Sequence, residues 1–135
     1  RMVVPPARTT AIITHELTHC FQGTGAPSWF LEGMASWCAG DGHFVYYFRH
    51  AKEKVLEIDE VVDRKFVYAR GWGFFEYVHA RHGPAALRRM MSAVLGEGKP
   101  VSVFLGELSG EEWSSVKKKE LTWTRRWIRT YRHQQ

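Results

Sequence analysis

Two histidines separated by one helical turn constrain this chain more than any other feature. They are His15 and His19 of the string HELTH, and Glu16 follows the first of them. On an α-helix this spacing projects both imidazoles from one face and leaves the glutamate carboxylate beside them. Apolar residues recur at helical spacing through the same stretch: Ala11, Ile12, Ile13, Leu17 and Phe21. We therefore predict that the string lies in the middle of a helix and supplies two ligands for a zinc ion.

A zinc ion in a hydrolytic site takes three protein ligands and keeps one open position, so one ligand remains to be found. Residues 23–27 contain two glycines and end in proline, which predicts a chain reversal. Ser28 is then the predicted N-cap of a second helix that ends at residues 40–42. At roughly 1.5 Å per helical residue, His19 and Glu32 lie at similar heights on either side of the reversal. Glu32 is therefore the predicted third ligand.

These two helices resemble a known family of enzymes. HELTHCFQ followed by PSWFLEGMASW resembles the gluzincin clan of zinc peptidases, in which a glutamate in a W-x-x-E-G-x-A setting supplies the third ligand. Residues 67–78 (VYARGWGFFEYV) and 81–87 (RHGPAAL) resemble the downstream part of the bacterial peptidase-MA-like domains of that clan. The resemblance implies a mainly α, gluzincin-like domain with an active-site helix and a glutamate helix.

The resemblance also implies a chemistry. Zn²⁺ would be held by His15, His19 and Glu32, and a water that the zinc activates would hydrolyse peptide bonds, with Glu16 as general base. The substrate would be a peptide or protein. A zinc-stabilised interaction domain without catalysis is the alternative.

A hydroxyl donor is the remaining part of such a site. Gluzincins such as the aminopeptidases place a tyrosine hydroxyl from a downstream helix over the metal, and Tyr68 matches that tyrosine by position and residue type. A core tyrosine that packs at the start of a helix is an equal alternative for Tyr68. His43, Tyr46 and Tyr47 are further candidates for the donor.

The chain departs from the larger gluzincins in two respects. The linker from His19 to Glu32 is shorter than in the thermolysin-like and aminopeptidase-like members, and only residues 2–5 correspond to the sheet that precedes the active-site helix in those families. We expect an N-terminal sheet that is reduced or missing, either in a fragment of a longer protein or in a compact domain of the minigluzincin kind. Loss of the sheet would weaken substrate alignment and leave the metal ligands unchanged.

The 135 residues are predicted to form one domain, with a zinc-binding helix pair at 1–42 and a helical C-terminal subdomain at 43–135. Further helices are predicted at 44–56, 67–81, 85–95, 101–108 and 111–131, the last broken near Leu121-Thr122. No segment has the roughly 20 apolar residues that cross a bilayer, so no membrane span is expected.

Most of the net charge of +5 comes from residues 111–135, which hold seven basic and three acidic side chains. Interleaved with tryptophans, these cations are one of the features of a nucleic-acid surface. The alternative is a terminal helix that buries Trp123, Trp127 and Ile128 and leaves the arginines solvated. No recognition motif accompanies the charge, which favours the solvated helix over nucleic-acid binding.

The two cysteines fall on the two helices that the zinc would join. A disulfide between Cys20 and Cys38 is conceivable, but buried free cysteines are common, so two buried thiols are the favoured interpretation.

Overall fold

The computed structural model describes residues 26–40, 55–61 and 64–133, and within them the chain is helical apart from short connections and contains no strand. The prediction of a mainly α fold is confirmed. The described elements are α1 (Ser28–Ala39), a 3₁₀ turn (Ile58–Glu60), α2 (Arg64–Met91), a π-helical turn (Ser92–Gly96), α3 (Val101–Ser109) and α4 (Trp113–His133). The predicted active-site helix lies outside the described residues, as do most of the predicted helix 44–56 and the possible strand at 2–5.

Helix α1 begins one residue earlier than predicted. Its N-cap is Pro27 rather than Ser28, and the Pro27 carbonyl accepts the backbone N–H groups of Phe30 at 3.0 Å and Leu31 at 3.2 Å. Proline suits this position because its ring fixes φ, here at −59°, and its missing N–H would have no helical partner. The helix ends at Gly40, as predicted, where φ of 65° requires the left-handed conformation that glycine adopts without strain.

Helix α2 is two helical segments joined at a kink. Gly83 has φ 89° and ψ 170°, which no helix accommodates, and Pro84 follows it without an N–H to donate. The predicted break at residues 82–84 is therefore confirmed. The first segment begins three residues before the predicted start, and the second passes into the π-helical turn after Met91.

The core lies between α1 and α2 and is largely aromatic. Trp29 packs on Phe74 with ring centroids 4.7 Å apart, and Phe30 packs on Phe75 at 5.0 Å. Phe30, Phe74 and Phe75 are fully buried. Full burial of such side chains contributes about 1.5 to 3 kcal/mol each, so this contact is a main source of stability for the described part of the chain.

Helix α4 covers the other side of α2. It runs without interruption from Trp113 to His133, so the break predicted near Leu121-Thr122 is wrong. Trp123 reaches Tyr77 at 5.7 Å between ring centroids. The buried residues of α4 are spaced four apart: Val116, Glu120, Thr124 and Ile128. Trp123 and Trp127 are only half-buried, whereas the arginines at 125, 126 and 129 are exposed, as predicted.

A buried ion pair joins α2 to α4. Arg70 contacts both carboxylate oxygens of Glu120, at 2.6 and 2.9 Å, and the two side chains are 3% and 0% exposed. Thr124 donates to Glu120 Oε2 at 2.6 Å, and Arg70 Nε donates to the Leu56 carbonyl at 2.9 Å. One guanidinium thus ties three segments of the chain together.

Three smaller predictions also have outcomes. Val55 and Leu56, the described end of the predicted helix 44–56, are not helical. Cys38 carries a free thiol and is exposed, so the prediction that it is buried is wrong; Cys20 lies outside the described residues. None of the described helices is long and apolar enough to cross a bilayer.

Candidate functional site

Glu32 is the predicted metal ligand that the structure describes. It lies in the second turn of α1, where the residue is half-buried and its carboxylate oxygen Oε2 is shielded from solvent. Ser36 follows one turn later on the same side, is 2% exposed, and its Oγ has no hydrogen-bond partner among the described residues. Two polar oxygens are therefore buried side by side on a helix whose other buried residues are apolar or glycine.

A contact between two glycine backbones fixes the position of α1, and with it that of Glu32, along α2. A Cβ on Gly33 would lie 2.6 Å from the Gly71 Cα, and a Cβ on Gly71 would lie 2.8 Å from the Gly33 Cα and overlap the carbonyl oxygen of Trp29. Real Cβ atoms do not approach other atoms so closely, so only glycine fits at either position. The two helix backbones touch one residue away from the predicted ligand.

Two tryptophans extend this contact along α1. Trp29 packs on Phe74, and Trp37 donates its indole N–H to Glu76 Oε2 at 2.9 Å while its ring lies 5.5 Å from that of His79. Trp29, Gly33 and Trp37 are spaced by four and so face α2 together. Glu32 lies about 100° around the axis from Gly33, which leaves its carboxylate outside the stripe that packs on α2.

Tyr68 lies on α2, one helical turn before the contact at Gly71. It is half-buried and lies three residues before Gly71, and Glu32 lies one residue before Gly33. Because the glycine backbones touch, the Cα atoms of Tyr68 and Glu32 lie within roughly 13 Å of each other. Of the five predicted site residues, the structure thus describes two, Glu32 and Tyr68, on helices that touch at Gly33 and Gly71.

The other three predicted site residues, His15, Glu16 and His19, lie outside the described residues, together with the fallback donors His43, Tyr46 and Tyr47. In the part of the chain that is described, no group of three or more histidine, cysteine, aspartate or glutamate side chains is arranged to hold a metal ion. A carboxylate with a shielded oxygen on a fixed helix is nevertheless suited to complete a zinc site whose other ligands come from elsewhere.

Cys38, on the same helix, carries a protonated thiol at neutral pH when no metal is bound. Partial burial of the sulfur raises the pKa of its thiol above the usual value, although the residue as a whole is exposed.

The sequence interpretation missed the residues that hold the helices in place. Arg70 and Glu120 had the clearest signal, because each is a charged residue within a stripe of apolar residues at helical spacing. The sequence contained no signal for Glu76, since its partner Trp37 lies 39 residues away. Gly71 was visible as a glycine inside a helical pattern, where a glycine can mark close packing as well as a helix end.

Two surface cavities that are lined by described residues include neither Glu32 nor Tyr68. One of about 390 Å³ lies between the start of α1 and the start of α3, and one of about 510 Å³ lies between α2 and α3. Neither adds a residue to the candidate site.

No protein family, curated protein or solved structure was found to match this chain.

Proposed function

We propose that this chain is a zinc-dependent metallopeptidase, or the catalytic part of one, of the gluzincin kind. The observation that carries the proposal is the string HELTH combined with Glu32, a carboxylate with a shielded oxygen on a helix that is held at three points. Zn²⁺ would be held by His15, His19 and Glu32. The expected substrate is a peptide or protein.

Each proposed residue has a separate chemical task. When bound, the zinc would polarise the scissile carbonyl and lower the pKa of the attacking water. Glu16 would take a proton from that water and pass it to the nitrogen of the leaving amine. Tyr68 would donate a hydrogen bond to the carbonyl oxygen as negative charge develops there, a contribution of about 2.7 to 4 kcal/mol for such donors.

The anchoring of α1 supports this assignment of Glu32. A ligand must hold its position within a few tenths of an ångström, and a side chain on a mobile helix loses that precision. Helix α1 is fixed at Trp29 by ring packing, at Gly33 by backbone contact and at Trp37 by a hydrogen bond to Glu76. Such rigidity suits a ligand that must meet two histidines from another helix.

Glu16→Gln tests the mechanism. The substitution keeps the size of the side chain and removes the base, so it should leave the zinc content unchanged and lower cleavage of an unstructured protein by about 100-fold or more. Zinc is measured by elemental analysis and cleavage by the release of new amino groups. Glu107→Gln makes the same chemical change at an exposed residue of α3 and should leave both unchanged.

The outcomes of this experiment separate the peptidase mechanism from its alternatives. Equal cleavage by the Glu16→Gln variant and the wild-type chain would reject Glu16 as the base. Stoichiometric zinc without cleavage by the wild-type chain would reject the peptidase and favour a zinc-stabilised interaction domain.

A further inference from the structure

One side of α4 is exposed and carries only cations and threonines from residue 118 to residue 130. We call this surface the basic face, and its members are Lys118, Thr122, Arg125, Arg126, Arg129 and Thr130. They occupy the side of the helix opposite the buried stripe of Val116, Glu120, Thr124 and Ile128. The only carboxylate of α4, that of Glu120, is buried on the other side and neutralised by Arg70.

The four cations of the basic face are not neutralised by any described residue. Among the described residues, none of them has a carboxylate within ion-pair distance; Arg125 donates to the carbonyl of Val55, which leaves its charge uncompensated. The neighbouring lysines differ. Lys117 lies 3.2 Å from Glu57 and 3.1 Å from Asp59, and Lys119 is paired with Glu111. Lys119 is exposed on the same side of α4, so its pair with Glu111 places one carboxylate beside the basic face, whose four cations are the unpaired ones.

The composition of the basic face restricts its partner. The exposed large apolar residues of the described chain are Leu56, Phe66 and Val103, and none of them lies on α4. Binding in a bilayer interface requires an apolar side to insert, and protein interfaces depend on buried aromatic or aliphatic anchors. A surface of cations and hydroxyls without such anchors fits neither. It fits a regular array of negative charges.

We propose that the basic face of α4 binds the phosphate backbone of duplex nucleic acid without reading its sequence. Arginine matches phosphate oxygens with two parallel donors, and threonine hydroxyls also donate to phosphates. Lys118 and Arg129 lie about 16 Å apart along the helix, a length over which a duplex presents about nine or ten charges. This binding is independent of the proposed peptidase and would bring that activity to nucleic acid or to proteins bound there.

The rigidity of α4 favours such binding. The helix is anchored along its whole buried stripe, including the ion pair of Glu120 with Arg70 and the packing of Trp123 on Tyr77. The backbone positions of the four cations are therefore fixed before any partner binds, and little backbone entropy is lost on association.

The experiment measures fluorescence anisotropy of a labelled 20-base-pair duplex with the full chain between 50 and 200 mM salt. Four phosphate contacts predict a slope of about −3 to −4 in log K against log salt. A combined Lys118→Gln, Arg126→Gln and Arg129→Gln variant should weaken binding at 50 mM salt by more than tenfold and reduce the slope by about 2.7.

The matched control removes three exposed cations from α2 with Arg81→Gln, Arg88→Gln and Arg89→Gln, which changes the net charge by the same amount. It should change the affinity by less than about threefold and leave the slope near its original value. Arg126→Glu alone gives a second reading that does not depend on folding of the triple variant, and should weaken binding more than Arg88→Glu.

Three results would overturn the proposal. No binding at 50 mM salt would end it. An equal loss in the α2 control would show a response to net charge rather than to the basic face. Tighter binding of polyglutamate than of the duplex would assign the face to an acidic protein instead.

Discussion

Gly71→Ala should displace the helix that carries Glu32 without altering any proposed ligand. A Cβ at this position would lie 2.8 Å from the Gly33 Cα and would overlap the carbonyl oxygen of Trp29. Ordinary contacts between such atoms begin near 3.4 Å, so α1 must move away from α2 by roughly 1 Å.

The cost of this movement follows from two opposing terms. Overpacking of a close contact destabilises a protein by about 1 to 3 kcal/mol, and the higher helix propensity of alanine returns about 1 kcal/mol. The free energy of unfolding should therefore fall by about 2 kcal/mol at most. Zinc ligation is more sensitive, because metal–ligand distances tolerate only about 0.2 Å. A displacement of 1 Å should weaken zinc binding by tenfold or more.

The assay combines urea unfolding with a zinc titration against a competing chelator. Gly106→Ala is the control, since its Cβ would lie 3.4 Å from the nearest atom, the Glu111 carbonyl oxygen, in ordinary contact. That variant should bind zinc as the wild-type chain does and should be equally or slightly more stable. Wild-type zinc affinity in the Gly71→Ala variant would refute the inference that the glycine contact positions Glu32.

Two further substitutions test the tyrosine and the buried ion pair. Tyr68→Phe should keep the zinc and lower kcat by about 100-fold to 1,000-fold if the hydroxyl stabilises the oxyanion; unchanged kcat with lower stability in urea would assign Tyr68 to packing. Glu120→Gln should lower the free energy of unfolding by about 3 to 5 kcal/mol, because it leaves the buried Arg70 guanidinium without its counter-charge. Glu107→Gln in the exposed pair with Lys99 should cost less than about 1 kcal/mol; equal losses in the two variants would contradict this account of the Arg70 pair.

Helix ends were predictable where the chain contains glycine or proline with a required conformation. Gly40 and Gly83 both have positive φ, and both were predicted as ends from the sequence. The break predicted at Leu121-Thr122 has no such residue. A threonine lowers helix propensity by less than 1 kcal/mol, and burial of the α4 stripe outweighs that cost.

Contacts between distant residues were not predictable from the sequence. The partner of Arg70 lies 50 residues away, and that of Trp37 lies 39 residues away. The sequence indicates that such side chains need partners, but only the packing of α1 and α4 on α2 determines which ones are in reach. The place of Glu32 on its helix was predictable from local spacing, whereas its support by Gly71 was not.

The most direct test of the central claim is the zinc content of the wild-type chain and of the Glu32→Gln variant. The account predicts one zinc per wild-type chain and an affinity at least tenfold lower in the variant, because an amide oxygen is a weaker ligand than a carboxylate. The Glu107→Gln control should retain full affinity. A wild-type chain without stoichiometric zinc, or a Glu32→Gln variant that binds zinc as tightly as the wild type, would contradict the proposed metal site.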